Sequence, residues 1–188
     1  MIDHFAAFTL PRRPWLDSEV IKNRFHELSA QQHPDVAAAG TSNDFSRLTK
    51  AYAVLREPGA RLRHLLELEY PEVPTPQQIP PGLAEHFMTV ATLQREIQVF
   101  AHQQSSATSL TRALAASEGF SLQRDVEKAI TILDLQLTRA LELLRAEDQL
   151  WEKRDAETGR RLALLHQELA FLTKWTADLR ERLLSLTS

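Results

Sequence analysis

Apolar residues recur at helical spacing in two short stretches of the first seventy residues. The first stretch contains Ile21, Phe25 and Leu28, and the second contains Phe45, Leu48, Tyr52 and Leu55. Intervals of three and four residues place each set on one face of an α-helix. Asp17 can cap the first helix at Ser18, and Pro58 can end the second. We therefore expect an antiparallel helical hairpin that buries both stripes and presents residues 32–42 as a loop at one tip.

Two shorter helices are expected beside this hairpin. One surrounds Phe5 and Phe8, and the other carries Leu62, Leu65 and Leu66. After them, residues 70–82 contain five prolines, which fix φ and remove backbone donors, so a continuous helix is not expected there. We predict a first domain over residues 1–70, a proline-rich linker over 71–81 and a second domain over 82–188.

Longer apolar stripes run through the second domain. They are Phe87, Val90, Leu93 and Ile97; Leu122, Val126, Ile130, Leu133, Leu137, Leu141 and Leu144; and Leu162, Leu165, Leu169, Leu172, Leu179, Leu183 and Leu186. Two long helices should pack antiparallel, and the third covers the apolar surface that a two-helix hairpin leaves wet. The expected fold class is all-α, with a three-helix bundle following the N-terminal hairpin.

Composition excludes several classes of function. The chain has 188 residues, 43% of them hydrophobic, a formal net charge of -3 and no cysteine. Because the chain has no overall positive charge and no basic patch, we do not expect nucleic acid as a partner. Disulfides and thiolate metal sites cannot form. There is no phosphate-binding glycine loop, so ATP is not expected to bind, and there is no zinc-protease histidine pair. We therefore expect no cofactor and no metal. No signal peptide or membrane span is apparent, which predicts a cytoplasmic protein without a membrane partner.

The residues with the clearest functional chemistry lie in the hairpin loop, which contains His33-Pro34-Asp35. Pro34 disfavours the helical conformation at His33, so the preceding helix should end there. The imidazole and the carboxylate are then displayed together on a rigid tip. His33, Asp35 and His64 have metal-ligand chemistry, but no spacing in the sequence fixes their geometry, and we do not expect a metal site.

The N-terminal part resembles a J domain. The resemblance is carried by four segments: Phe5-x-x-Phe8-x-Leu10-Pro11, Phe25-x-x-Leu28, His33-Pro34-Asp35 and Ala51-Tyr52-x-x-Leu55-Arg56-x-Pro58-x-x-Arg61. With about a hundred helical residues after it, the chain is similar to the HscB family of iron-sulfur co-chaperones. Residues 61–68, Arg-Leu-Arg-His-Leu-Leu-Glu-Leu, and residues 169–174, Leu-Ala-Phe-Leu-Thr-Lys, support that similarity.

The resemblance implies a partner, an ATPase chaperone of the DnaK or HscA class whose hydrolysis the J domain stimulates. The chaperone-binding residues would be His33, Pro34 and Asp35 in the loop and Lys22, Arg24 and His26 on the helix before it. A thin basic face here predicts only a modest dependence of binding on salt.

The resemblance also implies that the second domain docks an iron-sulfur scaffold protein. The candidate client-binding residues are Phe87, Met88, Ala91 and Phe171. Thr92 and Arg95 depart from the acidic, leucine-rich run that the family tends to have at this place. Phe87, Met88 and Phe171 could equally be core residues.

Three alternatives stay open at the level of sequence. A J-domain protein could serve a different client, and a helical adaptor could have no chaperone role. Wide leucine stripes could also make the second domain an oligomerisation module, with a homodimer formed through the C-terminal helices.

Overall fold

The computed structural model describes residues 2–31, 41–74, 76, 78–106, 108–153 and 155–186. Within these ranges the chain forms seven α-helices and two short 3-10 helices, and no strand is found. The α-helices are α1 (His4–Ala7), α2 (Ser18–Gln31), α3 (Thr41–Arg56), α4 (Pro58–Glu69), α5 (Ala84–Ser106), α6 (Ser109–Gln149) and α7 (Ala156–Leu186); the 3-10 helices are Pro81–Leu83 and Trp151–Lys153. In the described part of the chain, no α-helix combines the length and apolar character needed to cross a bilayer.

The predicted helical hairpin is formed by α2 and α3, which pack against each other. Ile21 of α2 is fully buried, and the rings of Phe25 and Tyr52 stack with their centroids 4.2 Å apart. Asp17 caps α2 as expected, accepting a hydrogen bond from the Glu19 N–H at 2.8 Å. Phe45, at the start of α3, departs most from the predicted stripe, because its side chain is 47% exposed.

One short helix, α1, precedes this pair in the chain, and another, α4, follows it. Asp3 caps α1, which packs on α3. Glu57 caps α4, where Pro58 occupies the first helical position and needs no backbone donor. Leu62, Leu65 and Leu66 of α4 are buried, as their spacing predicted.

The described chain groups into two compact units. The first contains Met1–Pro76 together with Leu141–Gln167, and the second contains Gln77–Ala140 together with Glu168–Ser188. The first unit therefore includes the end of α6 and the start of α7 as well as α1 to α4. The boundaries of the predicted domains and linker stay a prediction.

In the first unit, the hairpin between α6 and α7 is held close to the end of α4. The backbone of Gly159 approaches the Tyr70 ring so closely that an added Cβ would lie 2.6 Å from Cδ1 of that ring. Tyr70 also meets Trp151 edge-on, with ring centroids 6.0 Å apart. Glycine is needed at residue 159 because no side chain fits there.

The second unit is built from α5, most of α6 and the last part of α7. Its buried residues include Val90, Leu93 and Ile97 on α5, Val126 and Leu133 on α6, and Leu169, Leu172 and Leu179 on α7. These are members of the three predicted stripes, and the expected all-α fold with a C-terminal three-helix bundle is confirmed.

Candidate partner-binding surfaces

The His33-Pro34-Asp35 segment lies outside the described residues. The helices on either side of it are described, with α2 ending at Gln31 and α3 beginning at Thr41. The segment therefore connects two helices that pack against each other. The role of His33, Pro34 and Asp35 stays a prediction.

Two of the three chaperone-binding residues predicted on α2 are solvent-exposed. Lys22 lies 3.5 Å from the Glu19 carboxylate, a contact between two exposed side chains. His26 is also exposed, and its ring centroid is 5.9 Å from that of Phe25. An exposed ion pair of this kind contributes little to stability. Because their side chains are exposed, Lys22 and His26 can both reach a partner.

Arg24 is held differently, by contacts within the first unit. Its Nε donates to the Phe8 carbonyl oxygen at 3.0 Å, and one of its terminal nitrogens donates to Thr9 Oγ1 at 3.1 Å. Its other terminal nitrogen lies 2.8 Å from the Glu27 carboxylate. Thr9 has a φ of 53°, a conformation that L-residues rarely adopt. Arg24 therefore fixes the turn that follows α1.

The residues predicted to bind a client come together on α5 and α7 in the second unit. Met88 is 63% exposed and Phe87 is 38% exposed, while Ala91 and Phe171 are half-buried. The buried Trp175 ring lies beneath the two phenylalanines, with centroid distances of 6.0 Å to Phe87 and 5.3 Å to Phe171. We call Phe87, Met88, Ala91 and Phe171 the apolar patch.

A hydrogen-bonded cluster beside the apolar patch joins its two helices. Gln94 of α5 donates to the Asp178 carboxylate of α7 at 2.6 Å, and Arg182 donates to it at 2.9 Å. Burial alone would raise the pKa of Asp178, but these hydrogen bonds hold the pKa below its usual value. Sequence reasoning missed this cluster; its one local signal is the Asp-Arg spacing of four residues.

His4 and His64 have a structural role in the first unit. His64 is buried, and its Nε2 accepts a hydrogen bond from the His4 backbone N–H at 3.1 Å. Burial lowers the pKa of His64 and of His4. Among the described residues, no group of three or more histidines and carboxylates is placed to hold a metal ion.

Arg61, another residue of the J-domain-like pattern, is also structural. Its side chain is almost completely buried and donates to the Leu55 carbonyl oxygen at 2.6 Å, which satisfies an acceptor at the end of α3. Burial lowers the pKa of Arg61 to about 10, against the opposing influence of the Glu57 and Asp148 carboxylates. Arg61 therefore secures the joint between α3 and α4.

Two solved structures share this arrangement of an N-terminal hairpin module followed by a helical bundle. The chaperone HscB from Vibrio cholerae matches over 96% of this chain and 96% of its own, with a TM-score of 0.59 and 18% sequence identity. The human co-chaperone protein HscB matches over 97% of this chain and 81% of its own, with a TM-score of 0.53 and 14% identity. No protein-family model matches the chain.

These similarities define the class of fold: an N-terminal J-like domain followed by a C-terminal helical bundle. The chain has the fold of HscB, and the resemblance predicted from the sequence is confirmed at that level.

Proposed function

We propose that this protein is a J-domain co-chaperone, not an enzyme, that stimulates the ATPase of a DnaK- or HscA-class chaperone and presents to it an iron-sulfur scaffold protein. One observation carries the proposal. The sequence His33-Pro34-Asp35 falls between α2 and α3 of a chain whose fold matches two HscB co-chaperones over 96% or more of its length.

The stimulation is a shift of population in the partner. The loop of His33, Pro34 and Asp35 supplies an imidazole and a carboxylate, while the catalytic groups for ATP hydrolysis belong to the chaperone. A ligand shifts a conformational equilibrium only as far as its affinities for the two states differ. The loop must therefore bind the hydrolysing state of the chaperone more tightly than the resting state, and Lys22 and His26 extend its contact along α2.

Single-turnover ATP hydrolysis by a purified DnaK-class chaperone tests this half of the proposal. His33→Gln and Asp35→Asn should each abolish the stimulation, because each removes one group of the loop while preserving its approximate size. His86→Gln is the matched control, since it makes the same chemical change on α5 of the second unit. Stimulation that is unchanged in both loop variants would reject the assignment.

The client-binding half rests on the apolar patch. A side chain such as Met88, exposed beside a second exposed apolar residue, is typical of an interface anchor. Calorimetric titration with a purified iron-sulfur scaffold protein is the direct test. Phe87→Ser should weaken binding about tenfold or more, the loss expected for an anchor residue. Phe120→Ser should not, because Phe120 is 71% exposed on α6 outside the patch.

The titration with the scaffold protein and the ATPase assay together distinguish the proposed function from its two alternatives. A scaffold protein that does not bind, combined with intact stimulation of the chaperone, would leave a J-domain co-chaperone for a different client. Loss of both activities would favour a helical adaptor without a chaperone role.

A further inference from the structure

The apolar patch has an exposed cation on each of its two helices. Arg95 follows Ala91 by four residues on α5, and Lys174 follows Phe171 by three residues on α7, so each lies one helical turn from a patch residue. Both side chains are exposed. Neither forms an ion pair with any carboxylate in the described ranges. Both charges therefore reach solvent beside the patch, although the Lys174 charge also acts on the nearby Asp178 carboxylate.

The carboxylates of Asp178, Glu168 and Glu85, on the two helices of the patch, have other surroundings. Asp178 is hydrogen-bonded by Gln94 and Arg182. Glu168, one turn before Phe171, is partly buried, and burial raises its pKa. Glu85 lines a groove of about 160 Å³ between α5 and α6.

A second groove, about 400 Å³ in volume, lies between α5 and α6. Its lining includes Arg95 together with three carboxylates, those of Glu96, Glu118 and Asp125. These carboxylates compete with a partner for Arg95. Lys174 lies on α7 and borders neither groove. Its charge acts on one carboxylate, that of Asp178, which Gln94 and Arg182 already hydrogen-bond.

We propose that the apolar patch binds a segment of its partner that is apolar at the centre and carries carboxylates facing Arg95 and Lys174. The inference deepens the proposed function and rests on it for the choice of surface. Burial of apolar side chains against Phe87 and Met88 would supply most of the affinity, as at the centre of protein interfaces. The two cations at the rim would set the orientation of the segment and the rate of association.

The experiment uses two synthetic peptides as probes. Both are amphipathic and carry the same apolar residues, but one has Asp and Glu at the flanking positions and the other has Lys. The chain contains only two methionines, Met1 and Met88, so the methyl spectrum of the ¹³C-methionine-labelled protein reports on the patch through one assignable signal. We expect the acidic peptide to shift the Met88 methyl signal with at least about tenfold higher affinity than the basic peptide.

Charge-reversal variants test which cation causes the preference for the acidic peptide. Lys174→Glu and Arg95→Glu should each reduce the preference for the acidic peptide, and Lys174→Glu should have the larger effect. Lys128→Glu makes the same change at an exposed position on α6 and should leave the preference intact. Equal binding of the two peptides, a preference for the basic one, or no shift of the Met88 signal by either at about 1 mM would each overturn the inference.

Failure of the inference is distinguishable from failure of the proposed function. If the scaffold protein binds and Phe87→Ser weakens it while the two peptides bind equally, the client surface stands and the charge inference falls. If the acidic preference holds and the scaffold protein does not bind, the surface takes an acidic partner other than the scaffold.

Discussion

The Asp148 carboxylate accepts a hydrogen bond from the backbone N–H of Trp15 at 3.1 Å. The same carboxylate forms an ion pair of 3.0 Å with Arg13, and its side chain is only 13% exposed. Asp148 is near the end of α6, and Trp15 lies between α1 and α2. Both belong to the first unit. The N-terminal helices are therefore anchored to the α6–α7 hairpin by contacts between residues 133 positions apart.

Asp148→Ala should lower the free energy of unfolding by about 1–3 kcal/mol, because it leaves the Trp15 N–H without its acceptor and Arg13 without its ion pair. Denaturant unfolding measures the change. The control is Asp134→Ala, which removes a carboxylate 2.7 Å from Arg180 in a pair whose two side chains are both more than 40% exposed. Because exposed pairs contribute little, the control should cost less than about 1 kcal/mol. Equal losses in the two variants would contradict the anchoring role of Asp148.

Gly159→Ala should destabilise the protein by about 1–3 kcal/mol, the usual cost of inserting a methyl group into a packed site. The new Cβ would lie 2.6 Å from Tyr70 Cδ1, so the ring or the helix must move. Gly82→Ala is the matched control, since nothing lies within 4 Å of the added Cβ and the residue has no positive φ. It should be neutral or slightly stabilising. Thermal unfolding of both variants makes the comparison, and an unchanged midpoint for Gly159→Ala would refute the steric argument.

Long-range contacts such as these could not be predicted from the sequence. The stripe of Ile21, Phe25 and Leu28 is repetitive and local, so it predicts α2 and the face that α2 buries. The contact of Asp148 with Trp15 depends on how distant helices pack, and no periodic pattern encodes it. For the same reason no periodic pattern encodes that Leu141–Gln167 form one compact unit with Met1–Pro76.

The candidate client surface shows a similar limit. Helical spacing left it open whether Phe87, Met88 and Phe171 are core residues or surface residues. In the structure Met88 is largely exposed, while Phe171 is half-buried against Trp175. Which face of α5 is covered depends on the position of α7, and the cluster of Gln94 and Asp178 helps to fix that position.

Stability should fall as the pH drops from about 7 to about 5. Burial holds the pKa of His64 below its ordinary 6.5, so the folded protein keeps this imidazole neutral and accepting from His4. The unfolded chain takes up the proton first, near its ordinary pKa, so the stability that is full above about pH 7 is lost as the pH falls. The pKa of His166 is also lowered by burial and contributes in the same direction. The pKa of Asp3 lies below 3.8, outside this window.

Thermal unfolding of His64→Gln across the same pH range checks the origin of this effect. Glutamine can still accept the His4 N–H through its side-chain oxygen but does not titrate. The variant should therefore show a shallower decline in melting temperature, with the remainder due to groups such as His166. A decline as steep as in the unsubstituted protein would exclude His64 as a contributor.

Substitutions of Arg24 and Lys22 should distinguish a structural cation from a partner-binding cation on α2. Arg24→Gln should lower the free energy of unfolding by about 1–2 kcal/mol, because the Phe8 carbonyl oxygen and Thr9 Oγ1 lose a charged donor. Lys22→Gln should change stability by less than about 0.5 kcal/mol, because its pair with Glu19 is exposed on both sides. Denaturant unfolding measures both changes.

The two variants should rank in the opposite order when the loss of chaperone binding is measured instead of the loss of stability. If the proposed function holds, Lys22→Gln weakens binding to a DnaK-class chaperone at low salt, and the difference from the unsubstituted protein shrinks as salt screens the charge. Arg24→Gln, measured where it is fully folded, should bind more nearly as the unsubstituted protein does, because two of the groups that Arg24 contacts belong to the turn after α1. A larger loss of binding in Arg24→Gln than in Lys22→Gln would assign the contact to Arg24 instead.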